Sequence, residues 1–141
     1  GTRHLLPKEP VGGTPDPAAV QAFQADLVAQ RAAQAAAVGG ATTLVVVATD
    51  RTLTKAQCAK VAGISHDGLA RAISPVHTMF DGDTAFALAT GERPAPGPFE
   101  LHALLTAAAD CTTRAVVHAV LTAGRTTTPA GTWPAYRDLL R

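Results

Sequence analysis

With 141 residues, 47% hydrophobic and 16% charged side chains and a net charge of +1, the chain suffices for one domain with an apolar core and is too short for two. The near-neutral charge and the lack of a basic run give no electrostatic case for a nucleic-acid or membrane-surface partner. No stretch reads as long and apolar enough to span a bilayer, and no secretory n-region and h-region open the chain. Aromatics are 4%, so the core is expected to be Ala, Val and Leu. Cys58 and Cys111 lack metal-type spacing and read as small buried hydrophobes, which fits a reducing cytoplasm, the expected location. A start at Gly1 rather than methionine fits a processed product or a fragment.

Residues 1–15 are Pro- and Gly-rich and read as loop. Asp16-Pro17 is a helix start, an N-cap side chain followed by proline at the first helical position. The predicted helix runs to about Ala36 with Val20, Phe23, Leu27 and Ala35 as its apolar stripe, and Gly39 stops it. Residues 43–48 are a continuous apolar, β-branched run, the mark of a strand covered on both faces. Thr54 caps a second helix, Lys55 to about Ile73, with Val61, Ile64, Leu69 and Ile73 inward. Gly63 and Gly68 weaken that helix and allow close packing on a sheet, and Pro75 ends it. Thr84–Ala89 is a second strand, residues 91–98 a stiff surface linker, and about Phe99 to Ala123 a third helix. A Thr-rich turn and a short segment, Tyr136 to Leu140, follow. Two strands do not make a stable closed sheet. This α/β fold is therefore expected to be completed by another segment, either a missing N-terminal portion or a companion subunit.

Thr42-Thr43 stands where the Ala-rich helix and Gly39-Gly40 give way to the apolar strand. By itself Thr42 reads as a strand-initiating residue. If the bond between Ala41 and Thr42 is cut, however, Thr42 gains a free α-amine, with a reference pKa of about 7.7–8.0, beside its own hydroxyl and can use it as general base. The glycine pair would permit the strained geometry of an N-to-O acyl shift, and the strand would hold the nucleophile rigidly. Asp81-Gly82-Asp83 reads as a plain turn, as two carboxylates directed to one site to orient an ammonium or take a proton, or as a D-x-D metal site; the Ca²⁺-loop spacing fails. His77, four residues before Asp81, is a candidate to support the carboxylates from behind. His66-Asp67 resembles a metal phosphohydrolase pair, but His66 lies on a helix and reads as capping or packing. His102 and His118 read as surface or packing residues, Lys55 and Lys60 as solvated, and Ser65 lacks a triad pattern.

These blocks occur in a telling order: Thr42 through Asp50, Leu53 through Gln57, His66-Asp67-Gly68 through Ile73, Pro75-Val76-His77-Thr78, and Asp81-Gly82-Asp83-Thr84 through Gly91. Together they resemble the L-aminopeptidase/D-amidases, β-peptidyl aminopeptidases and nylon-oligomer hydrolases, a family of N-terminal-nucleophile hydrolases. The resemblance implies part of an αββα sandwich and a precursor that cuts itself before the nucleophile into a large α and a small β subunit. Residues 1–41 would end the α-like region and residues 42–141 would be the β-subunit-like segment. Thr42 matches the nucleophile, and Asp81 and Asp83 match its supporting pair. The implied substrates are peptides, amino-acid amides and esters, or ω-amino-acid oligomers. No metal or cofactor is implied. The implied partners are a companion α-type chain and further copies of the αβ unit.

Two departures from the family pattern stand out. Many members with a threonine nucleophile carry Asn before it, where this chain has Ala41, so processing is expected to be slowed. Most of the α region, which supplies substrate-contacting and oxyanion-stabilising groups, is not in this sequence. With Ala41 attached, no turnover is expected. The alternative is an unprocessed, non-catalytic assembly or ligand-binding module. A metal-dependent phosphohydrolase built on His66-Asp67 and Asp81, which would be chelator-sensitive, comes third.

Overall fold

The structure, a computed structural model, describes residues 16–33, 42–129 and 131–139. The predicted loop 1–15, Ala35 and the predicted helix end, Gly39-Gly40, Ala41 and Leu140 lie outside the described residues. In chain order the elements are α1 (Pro17–Ala33), β1 (Leu44–Arg51), α2 (Lys55–Ala72), β2 (Thr84–Arg93), α3 (Pro98–Thr122), β3 (Thr126–Thr128), β4 (Gly131–Trp133) and a 3₁₀ turn (Tyr136–Leu139). They fall into two compact units, residues 39–116 and residues 1–38 with 117–141. The chain is thus mixed α/β.

The first unit is a β–α–β motif. β1 and β2 pair in parallel, with Leu44 opposite Thr84, Val46 opposite Phe86 and Ala48 opposite Leu88, and the register slips between Thr49 and Arg51. A parallel pair needs a crossover, and α2 supplies it. Its start follows from the sequence. Thr54 Oγ1 accepts from the Gln57 N–H at 3.2 Å while Gln57 Oε1 accepts from the Thr54 N–H at 2.8 Å. This reciprocal capping box satisfies two donors that the helix itself cannot.

α2 packs on both strands, chiefly β2. Val45, Val47 and Thr49 with Ala85, Ala87 and Ala89 are half-buried, whereas the alternate positions are exposed. This corrects the expectation that 43–48 is covered on both faces. The strand is apolar on both sides, but α2 covers only one of them. Leu44, Val46, Phe86 and Leu88 are left exposed, Val46 at 69% and Phe86 at 55%.

The close approach expected at Gly68 is present, but its partner is α3 rather than the sheet. A Cβ at Gly68 would run into the Ala109 carbonyl oxygen and lie 2.7 Å from Thr112 Cβ, and the Thr113 hydroxyl donates to the Gly68 carbonyl at 3.0 Å. Val61, Ser65 and Leu69 of α2 and Ala108, Ala109, Thr112 and Thr113 of α3 are buried. Small residues are what let the helices meet backbone to backbone. Gly68→Ala is expected to lower stability by about 1–3 kcal/mol through overpacking, despite alanine's better helix propensity; urea unfolding measures it. Gly63 has open space around it and no such role.

Three further readings change. Cys111 is exposed and Cys58 only half-buried, so neither is a core residue. α3, 25 residues long with an 18-residue stretch of mean hydropathy 1.2, is by length and composition long enough and apolar enough to cross a membrane, contrary to the sequence reading; its buried Ala and Thr residues equally suit the helix–helix contact just described. The Pro/Gly linker begins later than expected, because β2 runs on to Arg93 through Gly91 at φ +76°.

In the second unit, Asp16 starts α1 as expected, its Oδ1 accepting from the Ala18 N–H at 3.2 Å, and the predicted stripe Val20, Phe23 and Leu27 is half-buried. The Thr-rich segment is an antiparallel hairpin, β3 with β4, rather than a bare turn. Phe23, Leu27, Trp133 and Pro134 help to line a cavity of about 360 Å³ with Asp26 and Arg125.

Candidate active site

The residue just before β1 is fixed by the carboxylate turn. The Thr43 N–H donates to Asp83 Oδ1 at 2.8 Å, and the Thr84 N–H donates to the Thr43 carbonyl at 2.9 Å. Both main-chain groups of Thr43 are therefore spent on residues 83–84. One residue earlier, Thr42 is exposed, and a Cβ built on Gly82 would stand 3.2 Å from the Thr42 hydroxyl oxygen. The hydroxyl thus lies against the glycine that separates the two aspartates. Glycine suits this position because a larger residue would crowd that oxygen.

The turn itself is closed by its own side chains. Asp81 Oδ2 accepts from the Thr78 N–H at 2.6 Å and from the Thr78 hydroxyl at 3.2 Å, and the Phe80 N–H donates to Thr78 Oγ1 at 3.3 Å. Asp81 is therefore a turn-forming residue. Asp83 is nearly buried, its side chain 4% exposed, and His77 Nδ1 lies 3.0 Å from its Oδ2. Burial alone would push the Asp83 carboxyl up. Hydrogen bonds from the Thr43 main chain and hydroxyl, with His77 against the other oxygen, outweigh that and hold it below its ordinary 3.8. Asp83 thus stays ionised with each oxygen engaged, a geometry for holding neighbours in place rather than for accepting a substrate proton.

His77 sits in the left-handed region at φ +54°, uncommon for a residue other than glycine though less so for histidine. Its Nε2 is 3.3 Å from Nδ1 of His66, with ring centroids 4.8 Å apart. His66 does not cap or merely pack, as its helix position suggested; it faces the loop of the carboxylate turn. Its spacing of eleven residues from His77 carries no periodic signal, and only the α2-to-turn connection brings the two together.

Thr42, Asp81, Asp83 and His77 thus gather in one unit, while Ala41 lies outside the described residues. Among the described residues, ligand atoms of His77, Asp81 and Asp83 lie within 4.8 Å of one another and could each offer a bond to a cation. Asp81 Oδ2 and both Asp83 oxygens already serve Thr78, Thr43 and His77, so binding a cation would compete with the bonds that shape the turn. The cavity beside Trp133 contains none of these residues.

A family model for peptidase family S58 matches residues 14–133. An uncharacterized aminopeptidase of Mycobacterium tuberculosis (strain ATCC 25618 / H37Rv) is 44% identical over 109 residues, covering 70% of this chain and 30% of the relative, and one from Mycobacterium bovis matches to the same extent. An uncharacterized aminopeptidase of Mycobacterium leprae is 47% identical over 93 residues, covering 58% of this chain and 26% of the relative. The chain therefore spans less than a third of these relatives. The match runs through α1, both paired strands and the carboxylate turn, so the residues gathered around Thr42 lie within it, and the chain belongs to peptidase family S58.

Proposed function

We propose that this chain carries the nucleophile of an amide hydrolase of the aminopeptidase or amidase type, and that cleavage between Ala41 and Thr42 activates it. One observation carries the reading: an exposed threonine hydroxyl lies against Gly82, with the next residue bolted to Asp83 through its main chain. Family membership and the aminopeptidase names of the mycobacterial relatives support the reaction class.

The chemistry balances as follows. Thr42 Oγ1 attacks the amide carbonyl carbon, and its proton passes to the Thr42 α-amine. The tetrahedral oxyanion collapses, the C–N bond breaks, and the departing amine takes that proton, leaving an ester on Thr42. Water then adds with the same amine as base, and the acid leaves as Thr42 Oγ1 regains its hydrogen. The Thr43 N–H is committed to Asp83, so the oxyanion donors come from other groups, as expected for a site whose remaining walls belong to the α-type region. Asp81 and Asp83 balance the Thr42 ammonium.

The uncovered apolar face of β1 and β2 supports the larger architecture. An isolated two-stranded sheet is marginal in water, and an exposed apolar patch marks a surface that something covers. A second sheet laid on Leu44, Val46, Phe86 and Leu88 would make the inner contact of an αββα sandwich, completed by the α-type region, and such αβ units would assemble into homo-oligomers. The substrates would be peptides, amino-acid amides or ω-amino-acid oligomers.

The test is to trap the intermediate. The full polypeptide is treated with an aminoacyl ester, quenched in acid and peptide-mapped; the acyl mass is expected on Thr42. An acyl group on Ser65 or a cysteine, or steady hydrolysis with no acylated peptide, contradicts the reading. Rates equal to buffer for both wild type and Thr42→Ala favour the non-catalytic binding module. Chelator is expected to leave the rate unchanged; a loss restored by a divalent cation reassigns His77, Asp81 and Asp83 as ligands.

A further inference from the structure

We propose that His66 is a positioning residue for this centre, acting through His77 on Asp83; the proposal rests on the function given above. An ionised carboxylate only accepts, so the 3.0 Å contact between Asp83 Oδ2 and His77 Nδ1 requires the hydrogen on Nδ1. With His77 neutral, its Nε2 presents a lone pair. The atom 3.3 Å away, Nδ1 of His66, is then the donor. On this assignment both imidazoles are Nδ1–H tautomers, and the chain runs His66, His77, Asp83, Thr43 main chain, ending one residue from the proposed nucleophile.

Each link is weakest where the backbone is least anchored. His66 follows Ser65, which is fully buried and bonded to the Val61 carbonyl at 2.9 Å, and precedes buried Gly68 and Leu69. It is thus held by the buried stretch of α2. His77, in contrast, lies in the connection between α2 and the turn, in a left-handed conformation, with its side chain 37% exposed. The contact with His66 is what ties that exposed ring to the helix. Without it, His77 Nε2 faces solvent, the ring is free to swing off Asp83, and the carboxylate loses the partner on Oδ2 that keeps Oδ1 aimed at the Thr43 N–H. The 59° tilt between the rings suits a nitrogen-to-nitrogen hydrogen bond and not a stack.

The experiment compares His66→Ala and His66→Asn in the full polypeptide, with ¹⁵N-histidine NMR on the wild type. Asparagine places an N–H donor at about the position of imidazole Nδ1 and does not titrate. His66→Ala is expected to lower kcat about 10-fold with KM little changed, the size of one lost hydrogen bond in a barrier. His66→Asn is expected to recover most of that loss, and wild-type His77 is expected to show a protonated Nδ1 and an unprotonated, hydrogen-bonded Nε2. An Nε2–H tautomer at His77, an Ala variant with wild-type kcat, or an Asn variant as slow as the Ala variant overturns the proposal. Failures separate cleanly. Normal wild-type hydrolysis with an unaffected Ala variant removes the role of His66 and leaves Thr42's intact. If the full polypeptide hydrolyses nothing, the function fails, and the tautomer measurement still decides the chain of contacts.

Discussion

Thr42→Ala in the full polypeptide is expected to leave the backbone uncut between residues 41 and 42 and to lower amide hydrolysis by at least about 10³-fold, since removing a nucleophile strips an enzyme of most of its chemical step. The two losses have one origin. The hydroxyl that would attack its own preceding carbonyl during processing is the one that would later attack substrate, and alanine offers neither that oxygen nor a way to gain a productive amine. Thr42→Ser separates chemistry from shape: it keeps the oxygen and is expected to cut and to hydrolyse within about 10-fold of wild type. Gel mobility and the rate of anilide release from an aminoacyl anilide follow both effects in one sample. An uncut Thr42→Ala variant with full hydrolysis would move the nucleophile elsewhere.

Asp83→Ala is expected to be the most damaging change outside the nucleophile. The carboxylate is 4% exposed and accepts the Thr43 N–H at 2.8 Å. Truncating it strands a main-chain donor, at a cost of about 1–3 kcal/mol of stability. It also frees the start of β1 that holds Thr42 in place, so hydrolysis is expected to fall by about 10²-fold or more, a displaced reacting group being enough for that. Asp83→Asn keeps an acceptor and isolates the charge. Because the folded carboxyl is held below its ordinary 3.8, its charge stabilises the fold above that pH, and the contribution is lost as pH falls through the depressed value. Urea midpoints of wild type and Asp83→Asn are therefore expected to differ at pH 7 and to converge as pH falls through the depressed value. A constant difference across that range would mean that the charge of Asp83 is not what stabilises the turn.

What could be read from sequence follows the range of the interactions involved. Short-range signals were legible. Asp16-Pro17 starts α1, Thr54 with Gln57 caps α2, and the β-branched run at 44–48 is a strand. The gathering of Thr42, Asp81, Asp83 and His77 was also legible, because the carboxylate turn leads directly into the strand that pairs with β1. The failures are tertiary. Residues 43–48 are apolar on both sides, and nothing local reveals that α2 covers one side only. Gly68 announces a close approach but not that Ala109 and Thr112 make it. Thr126–Thr128 lacks apolar alternation and so hides a three-residue strand. Cys111 is an apolar residue type on the exposed side of α3. The contact of His66 with His77 was not legible, because its partner comes from outside α2.

The most direct measurement is intact-mass analysis with N-terminal sequencing of the purified full polypeptide, taken alongside its hydrolytic rate. Two polypeptides, the smaller beginning Thr-Thr-Leu-Val at residue 42, with activity rising in step with the cut fraction, is the expected result. Full activity in a sample whose Ala41–Thr42 bond remains whole would contradict it.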